Sequence, residues 1–113
     1  MQSFRVSSGV YRDMAWEIKK IQGFLGSHFC GYVTLPNDHV LRDFPDTLML
    51  GCGEDTPHIP VHGGITFDEV NKLGDRVIGF DCAHLCDFDK PKGLDFVSGE
   101  IRKLINHLLD DKW

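Results

Sequence analysis

The sequence predicts an α+β fold: a curved antiparallel sheet with one C-terminal amphipathic helix packed on a face. Three observations carry this. Ile101, Leu104, Ile105 and Leu108 recur at i, i+3, i+4 and i+7, the apolar stripe of a helix. Met14, Trp16 and Ile18 alternate with Ala15, Glu17 and Lys19, the period of a half-buried strand. His28 to Leu35 is rich in aromatic and β-branched residues and is stopped by Pro36-Asn37-Asp38.

In chain order, Met1 to Gly9 is a lead-in in which Phe4 and Val6 suit an edge strand. Tyr11 to Gly23 forms a strand, although Ile18 and Ile21 would also suit a helix. Gly23-Phe24-Leu25-Gly26 turns it into the strand His28 to Leu35, giving an antiparallel hairpin. His39 to Gly53 offers Leu41, Phe44, Leu48 and Leu50 as apolar anchors, but Pro45 interrupts any regular element. Gly51 to Pro57 is loop, and His58-Ile59-Pro60-Val61 leads into a central strand that begins at Val61. Thr66 and Glu69 have the spacing of a capping box, which predicts a helical turn over Phe67 to Leu73 closed by Gly74. Asp75-Arg76 opens a second central strand. Asp87 to Gly93 is a polar loop, and Ser98 fits the N-cap of the last helix, with Glu100 favouring its positive end.

The chain has 113 residues, expected to form one domain over 1–113 with a core that needs no disulfides. Its formal charge of −5 argues against long nucleic acid as partner, because polymer binding relies on a basic surface. No apolar run approaches a membrane span, and Met-Gln-Ser-Phe-Arg lacks the apolar core of a secretory signal. Cys30, Cys52, Cys82 and Cys86 make no paired Cys-x-x-Cys knuckles, so reduced thiols in a cytosol are expected.

The chemistry concentrates between Val61 and Asp87. His62-Gly63-Gly64 places two glycines beside a histidine, and consecutive N–H groups there suit a phosphate or carboxylate. Equally, the glycines suit a bulge or make room for a ring such as Trp16 or Tyr32. In Asp81-Cys82-Ala83-His84-Leu85-Cys86-Asp87 an extended strand puts Cys82, His84 and Cys86 on one face. Residues two apart on a strand are separated by about 6.5–7 Å, too far for one zinc ion to take all three without a bend. No metal or other cofactor is therefore expected. Cys82 and Cys86 suit plain packing as reduced thiols. Cys82 with His62 as base, oriented by Asp81 or Asp87, is the arrangement an enzyme would use, and His62 or His84 held by Asp81 is a second.

Three motifs in order carry a resemblance. Gly31-Tyr32-Val33 is followed by Pro36 and His39, then Val61-His62-Gly63-Gly64-Ile65-Thr66-Phe67, then Gly79-Phe80-Asp81-Cys82-Ala83-His84 with Asp87. Together these resemble a family of small uncharacterised proteins carried mainly by bacteriophages and prophages, over roughly Gly26 to Leu109. Val40 stands where that family has proline, and Cys86 where it has glycine.

The resemblance implies a phage protein acting in a host bacterial cytoplasm. The function expected on that footing is anti-defence: binding and sequestering a small nucleotide-derived immune signal without turnover, as a homo-oligomer. His62, Gly63, Gly64 and Thr66 would hold the anionic group, Asp81 and His84 the ribose or base, and His39 with an aromatic such as Tyr32 or Trp16 would close the pocket. No catalytic residue is assigned. The alternative is a small hydrolase or lyase using a His/Asp/Cys site, possibly metal-dependent.

Overall fold

The computed structural model describes residues 2–24, 26–50, 53, 55–82 and 93–113. Five strands form one sheet: β1 (Gln2–Tyr11), β2 (Met14–Gly23), β3 (Gly26–Thr34), β4 (Phe67–Val70) and β5 (Arg76–Asp81). Their order is β1-β2-β3-β5-β4, and every neighbouring pair is antiparallel. One helix, α1 (Leu94–Asp110), packs across β3 and β2. The molecule is thus an open antiparallel sheet with a C-terminal helix on one face, an α+β fold.

Alternation along the strands separates the two faces. A Cβ at Gly31 would meet Phe80 and Ile101, so the phase of Gly31 and Val33 is the helix side. In register with them stand Ile18, Ile78 and Phe80. These residues and the helix residues Val97, Ile101, Leu104, Ile105 and Leu108 are buried in one core, which Leu41, Leu48, Ile59 and Ile65 from the long connection complete. The opposite phase, with Glu17, Lys19, Tyr32 and Asp81, forms a face that no described helix covers.

The structure departs from the sequence reading at four points. The lead-in is a full ten-residue strand, β1, joined to β2 by Arg12 and Asp13 with φ of 50° and 65°. The strand expected from Val61 begins only at Phe67, because Gly63 and Gly64 have φ of 70° and 79°, which a strand does not accommodate. The helical turn expected over Phe67 to Leu73 is instead β4 and a turn. The Thr66 N–H donates to Gly79 O at 2.9 Å, and Asn71 Oδ1 accepts from the Leu73 and Asp75 amides at 2.9 and 3.0 Å. Ladder bonds to β5 thus outweigh the capping-box preference. Finally α1 starts at Leu94 behind Gly93, so Ser98 lies inside the helix rather than at its N-cap.

Candidate functional site

Val61 to Gly64 is a tight turn: the Gly64 N–H donates to Val61 O at 2.9 Å, and positive φ at Gly63 suits the third position of a type II turn. Gly64 is glycine for a second reason, since a Cβ there would lie 2.4 Å from Leu50 Cδ2. The His62 N–H donates to Glu100 Oε1 at 3.0 Å, and the His62 ring meets the Phe96 ring edge to face at 5.2 Å. With Thr66 bonded to Gly79, the amides of His62, Gly64 and Thr66 are all committed within the chain. The motif docks the connection onto α1.

His39 sits at the other end of that helix. Its Nδ1 accepts from the Leu41 N–H at 3.1 Å, and its Nε2 bonds the Leu108 carbonyl. Nε2 is therefore the protonated nitrogen, and the ring caps the 3-10 turn Val40–Asp43 while tying it to the end of α1. Glu100 and Leu108 are separated by roughly 12 Å of helix rise, so His39 and His62 do not share a pocket.

Asp81 and Tyr32 lie on the open face, reached by neither histidine's helix contact. Cys30 pairs with Asp81 across β3 and β5, and Tyr32 pairs with Gly79. Gly79 is the glycine that an aromatic ring occupies: a Cβ there would come within 2.6 Å of Tyr32 Cδ1. Trp16 covers Gly9 in the same way. Tyr32 is further held edge-on by Phe67 at 5.0 Å and lies 5.3 Å from Lys19 Nζ. Burial, reinforced by Cys30, holds the Tyr32 phenol above the usual tyrosine range. Burial likewise pushes the Cys30 thiol up to about 11, with the Asp81 charge adding to it and Tyr32 and Lys19 opposing it. Cys30 is therefore a protonated thiol at neutral pH. Cys82, in the opposite phase, is buried in the helix-side core. His84, Cys86 and Asp87 lie outside the described residues. Among the described residues no three His, Cys, Asp or Glu side chains are grouped to hold a metal ion.

The open face carries a hollow of about 490 Å³, within the size range of small-molecule sites. Arg5, Ser8, Glu17, Tyr32, Thr34 and Val77 line it. Glu17 organises its charge: it accepts from Arg5 Nε at 2.9 Å and stands 3.6 Å from Lys19 Nζ. Two cations thus share one carboxylate, and the bond to Nε leaves the Arg5 Nη groups for another acceptor. Of these residues the motif reading found only Tyr32. The polar phase of the β2 alternation, Glu17 and Lys19, was the available signal for the rest. No helix among the described residues is long and apolar enough to cross a membrane. Comparison with protein-family models, curated proteins and solved structures finds no match.

Proposed function

We propose that this chain is a non-catalytic binding protein of phage type that sequesters a small nucleotide-derived immune signal in a host bacterial cytoplasm, and that the signal seats on the open face of the sheet. The observation that carries the reading is the hollow, where the Arg5 guanidinium, bonded to Glu17, stands with the hydroxyls of Ser8, Thr34 and Tyr32. A guanidinium presents a planar fork to a phosphate. Hydroxyls and the Glu17 carboxylate suit the hydroxyls of a ribose, and Val77 with the Tyr32 ring offers apolar contact to a base. Tyr32 and Asp81 of the motif set belong to this face. His62, Gly63, Gly64, Thr66 and His39 serve as structural supports in this reading. The described thiols favour binding over turnover, since a nucleophile needs access and a thiolate, and Cys82 and Cys30 are both buried.

Native mass spectrometry of the chain with a panel of cyclic nucleotides and ADP-ribose derivatives tests this. A stoichiometric adduct is expected, with the ligand recovered intact after denaturation. Arg5→Ala should weaken it by about tenfold or more, the weight of a charged hydrogen bond, whereas His62→Ala should retain it. Recovery of a chemically altered ligand, or an adduct lost in His62→Ala and kept in Arg5→Ala, overturns the reading.

A further inference from the structure

The two edges of the sheet differ. β4 is four residues long and is shielded by its own chain: the Leu48 N–H donates to Asp68 Oδ2 at 2.8 Å and the Leu50 N–H to Ile65 O at 2.9 Å. β1 is ten residues long, and among the described residues only β2 pairs with it. It contains no Lys, Asp, Glu or Pro, and its one charge, Arg5, bonds Glu17 through Nε while its side chain stays 65% exposed. Phe4 and Val10 are 43% and 68% exposed along it. Natural sheets blunt such edges with charge, proline or shortness, because unpaired N–H and C=O groups are a template for another strand. The single blunting device here is the bulge between Arg5 and Ser7, which leaves Ser7 to Tyr11 as a regular half with Gly9 at its centre.

We propose that β1 is a self-association edge, on which two copies of the chain pair antiparallel about a two-fold axis at Gly9 to make one continuous ten-stranded sheet. Backbone complementarity requires a strand as occupant. Charge complementarity selects a second copy. Pairing about Gly9 sets Ser8 against Val10 of the other copy and brings each Arg5 beside the other copy's Arg12–Asp13 turn. There Asp13 is exposed, whereas Arg12 is drawn onto Asp110 at 2.9 Å and Asn106 at 2.9 Å. Two symmetry-related opposite-charge contacts result, and no like charges meet. The same pairing extends the wall of the hollow, to which β1 contributes Arg5, Ser8 and Val10. The edge proposal rests on the strand geometry and holds whatever the hollow binds. Five paired residues make a small interface, so the dimer is concentration-dependent.

Sedimentation of the full chain without ligand, from micromolar to millimolar, tests it. The mass is expected to rise from 12.8 kDa to twice that value. Val10→Lys and, separately, Asp13→Arg should hold it at the monomer value, with circular dichroism unchanged because both positions are exposed. Val70→Lys, on the exposed side of β4, should leave the dimer intact. A wild-type chain that stays monomeric over this range overturns the proposal. So does a dimer that survives Val10→Lys and Asp13→Arg, or one lost in Val70→Lys alone.

Discussion

Arg76 shows how one residue can organise a long irregular connection. The residue is only 9% exposed, and its guanidinium donates to both oxygens of Asp68 at 2.8 and 2.6 Å and to the carbonyls of Leu41, Phe44 and Asp46 at 3.2, 2.8 and 2.9 Å. Arg76→Met would strand a buried carboxylate, and the expected loss is about 3–5 kcal/mol, read from the urea midpoint. Burial raises the Asp68 carboxyl, but the Arg76 bonds, the Leu48 amide and the Arg76 charge together outweigh it and hold Asp68 below the usual carboxylate range. A depressed folded pKa means that this stabilisation is fully present above the unfolded carboxyl value of about 3.9 and is lost as pH falls through the folded one. Denaturation midpoints should therefore drop below about pH 4, and Asp68→Asn should remove that part of the pH dependence. His39→Ala should cost about 1–2 kcal/mol through two lost hydrogen bonds while leaving ligand affinity unchanged, a pair of readouts that separates a support from a contact residue. Nothing near His39 or Arg76 in sequence discloses these partners. Leu108 for His39 and Leu41 for Arg76 are reached only through the fold.

At the scale of elements, the β1–β2 hairpin turns through two non-glycine residues with positive φ, Arg12 and Asp13. Two-residue hairpins of this kind favour Asn-Gly or Asp-Gly, and the absence of glycine is why the turn went unread between Tyr11 and Met14. Asp13→Gly should raise thermal stability by about 0.5 kcal/mol, as relief of the left-handed penalty is partly offset by unfolded-chain entropy. Gly31→Ala should act oppositely. Its Cβ would lie 2.6 Å from Phe80 Cε1 and 3.1 Å from Ile101 Cγ1, an overpacking that costs about 1–3 kcal/mol in chemical denaturation. The helix was legible because its apolar period is local, and the strand phases of Met14–Ile18 and His28–Leu35 were legible for the same reason. The stretch after Thr66 was not, since a capping box describes what four residues prefer alone and β5 decided what they became.

For the whole molecule, the Cα radius of gyration of 13.7 Å is close to the roughly 13 Å expected for a compact chain of this length. Compaction hides Cys30 in the open-face cluster. With its thiol near 11, about one molecule in a thousand carries the thiolate at pH 8. Alkylation followed by peptide mass mapping should therefore find Cys30 modified roughly two orders of magnitude faster in urea than in native buffer. Equal rates in both would show that Cys30 is not shielded in the cross-strand row it forms with Lys19 and Asp81. At this scale the motif set divides in two. His39 and His62 brace α1 at separate points along it, while Tyr32 and Asp81 belong to the sheet face opposite α1.

The periodic parts could be read from local residues: one amphipathic helix, alternating strands, glycine and proline breaks, and a charge that disfavours nucleic acid. Each is written within a few residues, so it survives without knowledge of neighbours. Long-range packing set the rest: β5 enters between β3 and β4, Tyr32 takes the space of Gly79, and the His62 amide goes to Glu100. Those outcomes join residues 38 and 47 positions apart, and a pairing at such separation leaves no period to read.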